Sequence, residues 1–382
     1  MSCVGYCYWW RLDFDLYEGL EGMPQRNIYM DVLSVLSCLA VVYLHCSTVV
    51  FLNEGDLLWS LSVVVQAVFS FAVPVFFMMS GANLIGYREK YDTKSFLKKR
   101  LKRVIIPLLG FSLLYYVLSC CAPDVFGLPM REPSISGFVT ELLTNRICDV
   151  YWFLYSIAAL YLMTPLISRA ANDRGLLEYL LVLSFVSTAV VPLVNRFAPT
   201  DSLLSLLAIP YLTGPIFFYL LGYYIQRYVE VNCKVRSVLA CSLFASLVAM
   251  IGMTFKTNYW HTAASGQFAE FDNFYLSIQN LLCVVYSCSI FGLMKGVEPK
   301  LQKNKFFHGG IFRLLTSVTL YVYLIHMLFI NLFDVYVPHS ITWDLGVRPP
   351  LVFLSSVAFG LVLSVIKTAI EKIYAGVSGI VN

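Results

Sequence analysis

A chain of 382 residues that is 59% hydrophobic and only 13% charged lies far from soluble globular domains, where about a quarter of the residues carry charge. A net charge of +4 is too slight to mark a nucleic-acid partner. The strings GxxxxGK[ST], HExxH and GxSxG do not occur, which argues against a nucleotide motor, a zincin and an α/β-hydrolase site.

The first thirty residues carry Asp13, Asp15, Glu18 and Glu21 and lack a basic segment followed by an apolar one, so no cleavable signal peptide is expected. Asp13–Asp15 spell a formal D-x-D, but matches of three residues arise by chance. Residues 1–25 are expected to be an extension, with Met23 an alternative start, 26–375 a transmembrane domain and 376–382 a tail. Apolar runs of about 20 residues suffice to cross a bilayer. Ten occur, near 31–52, 60–84, 104–122, 151–169, 176–194, 204–225, 236–255, 275–294, 314–334 and 350–371. The predicted fold is all-α, a polytopic membrane bundle of about ten helices. With the N-terminus inside, only Arg131, Arg146, Arg196, Lys256 and Arg348 of the 27 Lys and Arg fall outside. Cytoplasmic loops favour these residues, which predicts that both termini are cytoplasmic. The eleven cysteines form no CxxC pair, and neither a zinc site nor a disulfide framework is expected.

The first apolar run, "DVLSVLSCLAVVYLHCS", ends in a histidine. An ionisable group inside a bilayer costs about 2.5–3.5 kcal/mol when charged, so His45 needs a reason to be there. It lies about 21 Å along a helix from Asp31 at about 1.5 Å per residue. Ser34, Cys38 and His45 fall on one helical stripe, predicted to face the bundle. In the ninth run, "TSVTLYVYLIHMLFINLFD", Thr316, Thr319, Tyr323 and His326 also share one face. These two histidines would lie at similar depth on parallel helices and could meet in one polar cavity. For either alone, a core histidine bonded to a neighbouring helix is the plainer account. His261, His308 and His339 fall in loops and are expected to be solvated.

Between the second and third runs stands "YREKYDTKSFLKKRLKRVIIP", with eight basic residues against Glu89 and Asp92. Attraction to anionic lipid accounts for part of that density. Lys98, Lys99, Arg100, Lys102 and Arg103 are expected to approach the membrane on an amphipathic helix, a geometry suited to phosphate groups.

Five strings, "RNIYMDVLSVLSCLAVVYLHCS", "PVFFMMSGANLIG", "FLKKRLKRVIIPLLGFSLLYY", "YWFLYSIAALYLMTPLI" and "LYVYLIHMLFI", occur in an order that resembles the family-3 membrane acyltransferases. That family includes the O-acetyltransferases of cell-envelope polysaccharides, and the resemblance spans about residues 26–372. It implies transfer of an acyl group, usually acetyl, from cytoplasmic acyl-CoA to a hydroxyl of an envelope glycan or lipid-linked sugar, by a multi-pass protein of a bacterial inner or plasma membrane. It implies no bound cofactor and no metal. Carried across, it makes His45 and His326 the catalytic candidates and Arg100, Arg103 and Lys99 the donor-binding ones, with Ser34, Asp31, Tyr323 and Trp152 in support. The family commonly has a basic residue eleven positions before the histidine. This chain has Ser34 there, and Arg26 lies about 100° away from His45 on a helix. Arg100 or Arg103 supplies the missing charge, or donor affinity is reduced, or the activity has changed.

The resemblance also answers why a histidine stands in the first run. A free hydroxyl is a poor nucleophile at neutral pH, and a neutral imidazole can take its proton. A sugar translocator, with both histidines lining its path, and a structural membrane subunit are the rival readings.

Overall fold

A computed structural model describes residues 26–52, 55–90, 92–198, 213–265 and 270–380, with the backbone alone described at 259–265 and 371–380. Among these residues every regular element is helical, and nine helices are long and apolar enough to cross a membrane. In hydrocarbon each backbone N–H and C=O needs an internal partner, which a helix supplies. The helices are α1 (Ile28–Cys46), α2 (Leu57–Phe69), α3 (Ala72–Leu84), α4 (Thr93–Cys121), α5 (Trp152–Ala170), α6 (Arg174–Phe185), α7 (Pro215–Tyr228), α8 (Cys233–Ser265), α9 (Leu281–Leu301), α10 (Gly310–Tyr336) and α11 (Arg348–Ile380). The run predicted at 204–225 falls partly outside the described residues, and α7 is its second half. The extension at 1–25, with Met23 and Asp13–Asp15, lies outside them altogether.

Several boundaries differ from the sequence reading for local reasons. The run at 60–84 is two helices, α2 and α3, parted at Ser70 and Phe71. Pro74 has no N–H to bond the carbonyl four residues back, and that carbonyl, Ser70 O, accepts from Cys283 Sγ at 3.8 Å instead. The basic residues before 104 form no separate amphipathic helix. They are the first turns of α4 itself, which starts where Asp92 accepts from the Ser95 N–H at 3.0 Å. Those hydrogen bonds from Ser95 hold the Asp92 carboxyl below the usual carboxylate range. A π-turn at Val186–Val190 follows α6, and another at Thr342–Val347 leads into α11. Residue 261, predicted in a loop, lies on α8, and His308 ends a short helix, Lys305–His308.

Large apolar side chains face outward all around the bundle, among them Leu113 on α4, Leu166 on α5, Phe244 on α8 and Val365 on α11. In a soluble protein such a surface would aggregate; here it is the lipid face. Lipid leaves little hydrophobic drive between helices, so small residues and polar contacts hold them together. α3 and α7 approach each other closely. A Cβ on Gly81 would stand 1.8 Å from Tyr219 O, and one on Gly222 would stand 2.0 Å from Met78 O. Below them, α9 ties two helix ends. Lys295 Nζ donates to the carbonyls of Ile225, Gln226 and Val229 at 2.8–2.9 Å, closing the C-terminus of α7. Glu298 accepts from Ile28 N at 2.9 Å and Tyr29 N at 2.6 Å, closing the N-terminus of α1.

Candidate active site

The two predicted stripes face each other. Ser34 Oγ lies 3.4 Å from Thr319 Oγ1, Cys38 Sγ donates to Thr319 O at 3.4 Å, and the His45 and His326 rings stand 5.3 Å apart. Contacts that advance together along both helices mean that α1 and α10 run parallel. His45 occupies the last turn of α1 and is half-buried, whereas His326 is fully buried in the middle of α10.

The surroundings of His326 fix its hydrogen-bonding character. Its Nδ1 lies 2.7 Å from Tyr323 O. A carbonyl can only accept, so Nδ1 carries the proton, and in the uncharged ring Nε2 is then an acceptor. That Nε2 is buried and has no hydrogen-bond partner among the described residues. Two tyrosines clasp the helix around it. Tyr151 Oη donates to Leu324 O at 2.7 Å, and Leu328 N donates to Tyr115 Oη at 2.8 Å. Leu324 and Leu328 are ladder partners within the helix, so both tyrosines bond to the turn that presents His326. Tyr323 donates through its hydroxyl to Val150 O, and its ring packs 5.4 Å from Phe153 and 5.8 Å from His326.

On the side where α1, α4 and α10 begin lies a cavity of about 370 Å³. It extends from Asn27 and Lys90 at the helix ends to Phe153 and Tyr323 in the interior. Asp31, Ser34, Tyr323, Arg100 and Arg103 all line it, as does Thr319. Ser34, standing where a basic residue was expected, therefore shares a cavity with the two arginines. Arg26 is not itself in the lining but pairs with a residue that is, its Nε 2.5 Å from Asp31 Oδ2. The two histidines do not line the cavity; Tyr323 marks its inner end. Lys99 is exposed and lies off the lining, as does Trp152, which is 39% exposed, while its neighbour Phe153 takes the place in the wall.

Other members of the site escaped the sequence reading. Lys90 and Tyr87 line the cavity because the turn after α3 is pinned: Tyr87 stacks on Phe96 at 4.0 Å and its hydroxyl meets Thr93 Oγ1 at 2.8 Å. Asn83 lines it too, donating to Met79 O at 2.9 Å. All three belong to strings quoted above, Asn83 to "PVFFMMSGANLIG" and Tyr87 and Lys90 to "YREKYDTKSFLKKRLKRVIIP", so a signal was present. His339, expected to be solvated, is half-exposed but places Nδ1 2.9 Å from Asp344 Oδ1. Asp344 is buried beside Arg348, which is buried as well. Nothing in the loop sequence announced that cluster.

No match is found among curated proteins, and none among solved structures. The model of the acyltransferase-3 family, described as an acyltransferase domain, matches residues 27–369, a segment that contains both histidine stripes, the cavity and the buried arginine. Extending over nearly the whole chain, that match makes this protein a member of the acyltransferase-3 family, an acyltransferase built into a multi-pass membrane bundle.

Proposed function

We propose that the protein moves an acyl group, acetyl in the first instance, from acyl-CoA to a hydroxyl of a cell-envelope glycan, with His45 as general base. The observation that carries this reading is the meeting of His45 and His326 beyond the inner end of a cavity whose lining holds Arg100, Arg103 and Lys90. Guanidinium groups bind phosphate oxygens with paired donors, which suits the phosphates of CoA, and the inner wall of Phe153, Leu154 and Ile157 suits its pantetheine arm. His45 takes the proton of the acceptor hydroxyl as its oxygen attacks the thioester carbonyl. The C–O bond forms, the C–S bond breaks, and the sulfur leaves with the proton from His45. The bare Nε2 of His326 accepts a hydrogen bond from the same acceptor and orients it. A thioester is already activated, so the step draws on no metal.

The test is transfer of labelled acetyl from acetyl-CoA to envelope polysaccharide by membranes that contain the folded protein. Folded protein that transfers no label overturns the reading.

The donor site gives a separate expectation. Hydrogen bonds to charged groups contribute about 1.5–3 kcal/mol each, so Arg100→Ala or Arg103→Ala is expected to raise the apparent KM for acyl-CoA by about 10- to 100-fold. The salt dependence of KM should weaken as well, since screening acts on the charges removed. Donor kinetics that do not change would assign these arginines to lipid anchoring.

For donor and acceptor to approach from opposite sides, the cavity must open to the cytoplasm, as the basic asymmetry of the loops implies. Reporter fusions after Lys99, Asn195 and Lys303 are expected to read inside, outside and inside. Inversion at two of the three would reject that orientation.

A further inference from the structure

Arg348 is the first residue of α11, 2% exposed, and sits at the opposite end of α1 from the Arg100–Arg103 cavity. The last carbonyls of a helix have no N–H partner within it, and His45 stands in that last turn. The carbonyls on either side of His45 are each taken by another helix. Gln66 Nε2, from α2, donates to Leu44 O at 2.7 Å, and Arg348 Nη2 donates to Cys46 O. The same guanidinium bonds through Nη1 to Asp334 near the end of α10, eight residues beyond His326. Its Nη2 lies 3.2 Å from Asp344 Oδ1 on the π-turn. Asp344 is itself held by Ser340 N at 3.0 Å and by His339. Turns of this kind recur at functional sites, and this one sets Asp344 and Arg348 four residues apart on one face.

A single buried side chain thus joins the helix that carries His45 to the helix that carries His326. We infer that Arg348 is a positioning residue that fixes the separation of the two histidines, acting through the Cys46 carbonyl on one side and Asp334 on the other. This rests on the reading of His45 as the base. Arginine suits the place because one side chain meets three partners, Cys46 O, Asp334 and Asp344. A lysine ammonium keeps the charge but lacks the planar fork. Removing the charge outright would strand the buried Asp344 carboxylate without its cation and endanger folding, so the informative variants keep the local charge or shape: Arg348→Lys, Asp334→Asn and the two combined.

The experiment measures acetyl transfer from labelled acetyl-CoA to envelope polysaccharide in membranes that contain the full chain, with kcat normalised to folded protein. A misplacement of about 1 Å can cost about 100-fold in rate. Each single variant is expected to lose about 10- to 100-fold in kcat, with KM for acetyl-CoA within about twofold and the melting temperature near that of the parent. The double variant should be no worse than the poorer single, because both cut one tie. Parental kcat in both single variants overturns the positioning role. So does a loss that merely follows the folded fraction, or one that multiplies in the double variant. A parent protein that transfers no label overturns the acyltransfer reading itself, and the assignment of Arg348 with it.

Discussion

His45→Gln is expected to insert and fold like the parent protein and to transfer acyl groups at a rate about 10²–10⁴-fold lower, the usual contribution of a general base. At about 1.4 kcal/mol per tenfold, the loss is roughly 3–5 kcal/mol of transition-state stabilisation. Glutamine keeps a polar group of similar reach, so the half-buried end of α1 remains satisfied, held as it is by Gln66 and Arg348. What disappears is the ability to take a proton. His326→Gln should be milder. Its carbonyl oxygen can still accept a hydrogen bond from the acceptor, although the donor contact to Tyr323 O must re-form from the amide. Measuring kcat for both variants in membranes with matched amounts of inserted protein separates the roles. Near-parental kcat in His45→Gln would remove the base from His45. A deeper loss in His326→Gln than in His45→Gln would transfer that role to His326.

The second large effect concerns folding. Gly222→Ala and Gly81→Ala are expected to lower the yield of folded protein and its melting temperature sharply, by a large fraction of a typical stability of about 5–15 kcal/mol. The added methyl would stand 2.0 Å from Met78 O or 1.8 Å from Tyr219 O, against a comfortable separation of about 3.5–4.0 Å. The obstacle is backbone on both sides, so no rotamer change relieves it, and α3 and α7 must separate by more than about 1 Å. Overpacking costs typically about 1–3 kcal/mol, occasionally more, and this case lies at the upper end because one helix must move as a body. Separation would also break the bond between Tyr219 Oη and Thr164 Oγ1, at 2.9 Å, that ties α7 to α5. Gly110 and Gly252 provide the comparison, since a Cβ on either meets nothing within 4 Å. Alanine at those two positions should be neutral or stabilising, by up to about 1 kcal/mol. The measurement is the yield of monodisperse protein and its melting temperature. Equal behaviour of all four variants would mean that the α3–α7 contact is looser than described.

Periodicity carried the sequence reading furthest. Ser34, Cys38 and His45 on one helix and Thr316, Thr319, Tyr323 and His326 on another were legible as stripes, because a helix repeats its faces whatever it packs against. Counting spans makes the first and ninth helices parallel, so the stripes could meet; that they do is seen only in the contacts of Ser34 and Cys38 with Thr319 and of His45 with His326. Composition alone gave the lipid-facing character of the remainder. The partners of buried polar groups could not be read in this way. Arg348 bonds Cys46 across 302 residues and Gln66 bonds Leu44 across 22, and no local rule links such positions. In the sequence Arg348 was one external charge among five and His339 one loop histidine among three, yet both belong to one ionic cluster around the buried pair Arg348 and Asp344. Trp152 and Phe153 are adjacent, and about 100° of helix rotation decides which of them enters the wall. That choice depends on packing against Phe76 and Phe77, which the string "YWFL" does not encode.

Glu298 has a consequence for how the anionic end of a donor is recognised. The first N–H groups of a helix, reinforced by its dipole, form a ready anion site, and α1 begins beside the cavity, with Asn27 and Asp31 in its wall. Here the chain's own carboxylate already occupies those N–H groups. A donor phosphate bound in the cavity, as proposed, would find that backbone taken and would have to be met by side chains such as Arg100, Arg103 and Lys90. Recognition built in this way can be adjusted one residue at a time, without re-aiming a helix, so relatives could diverge in donor preference while the scaffold that holds the histidines remains constant.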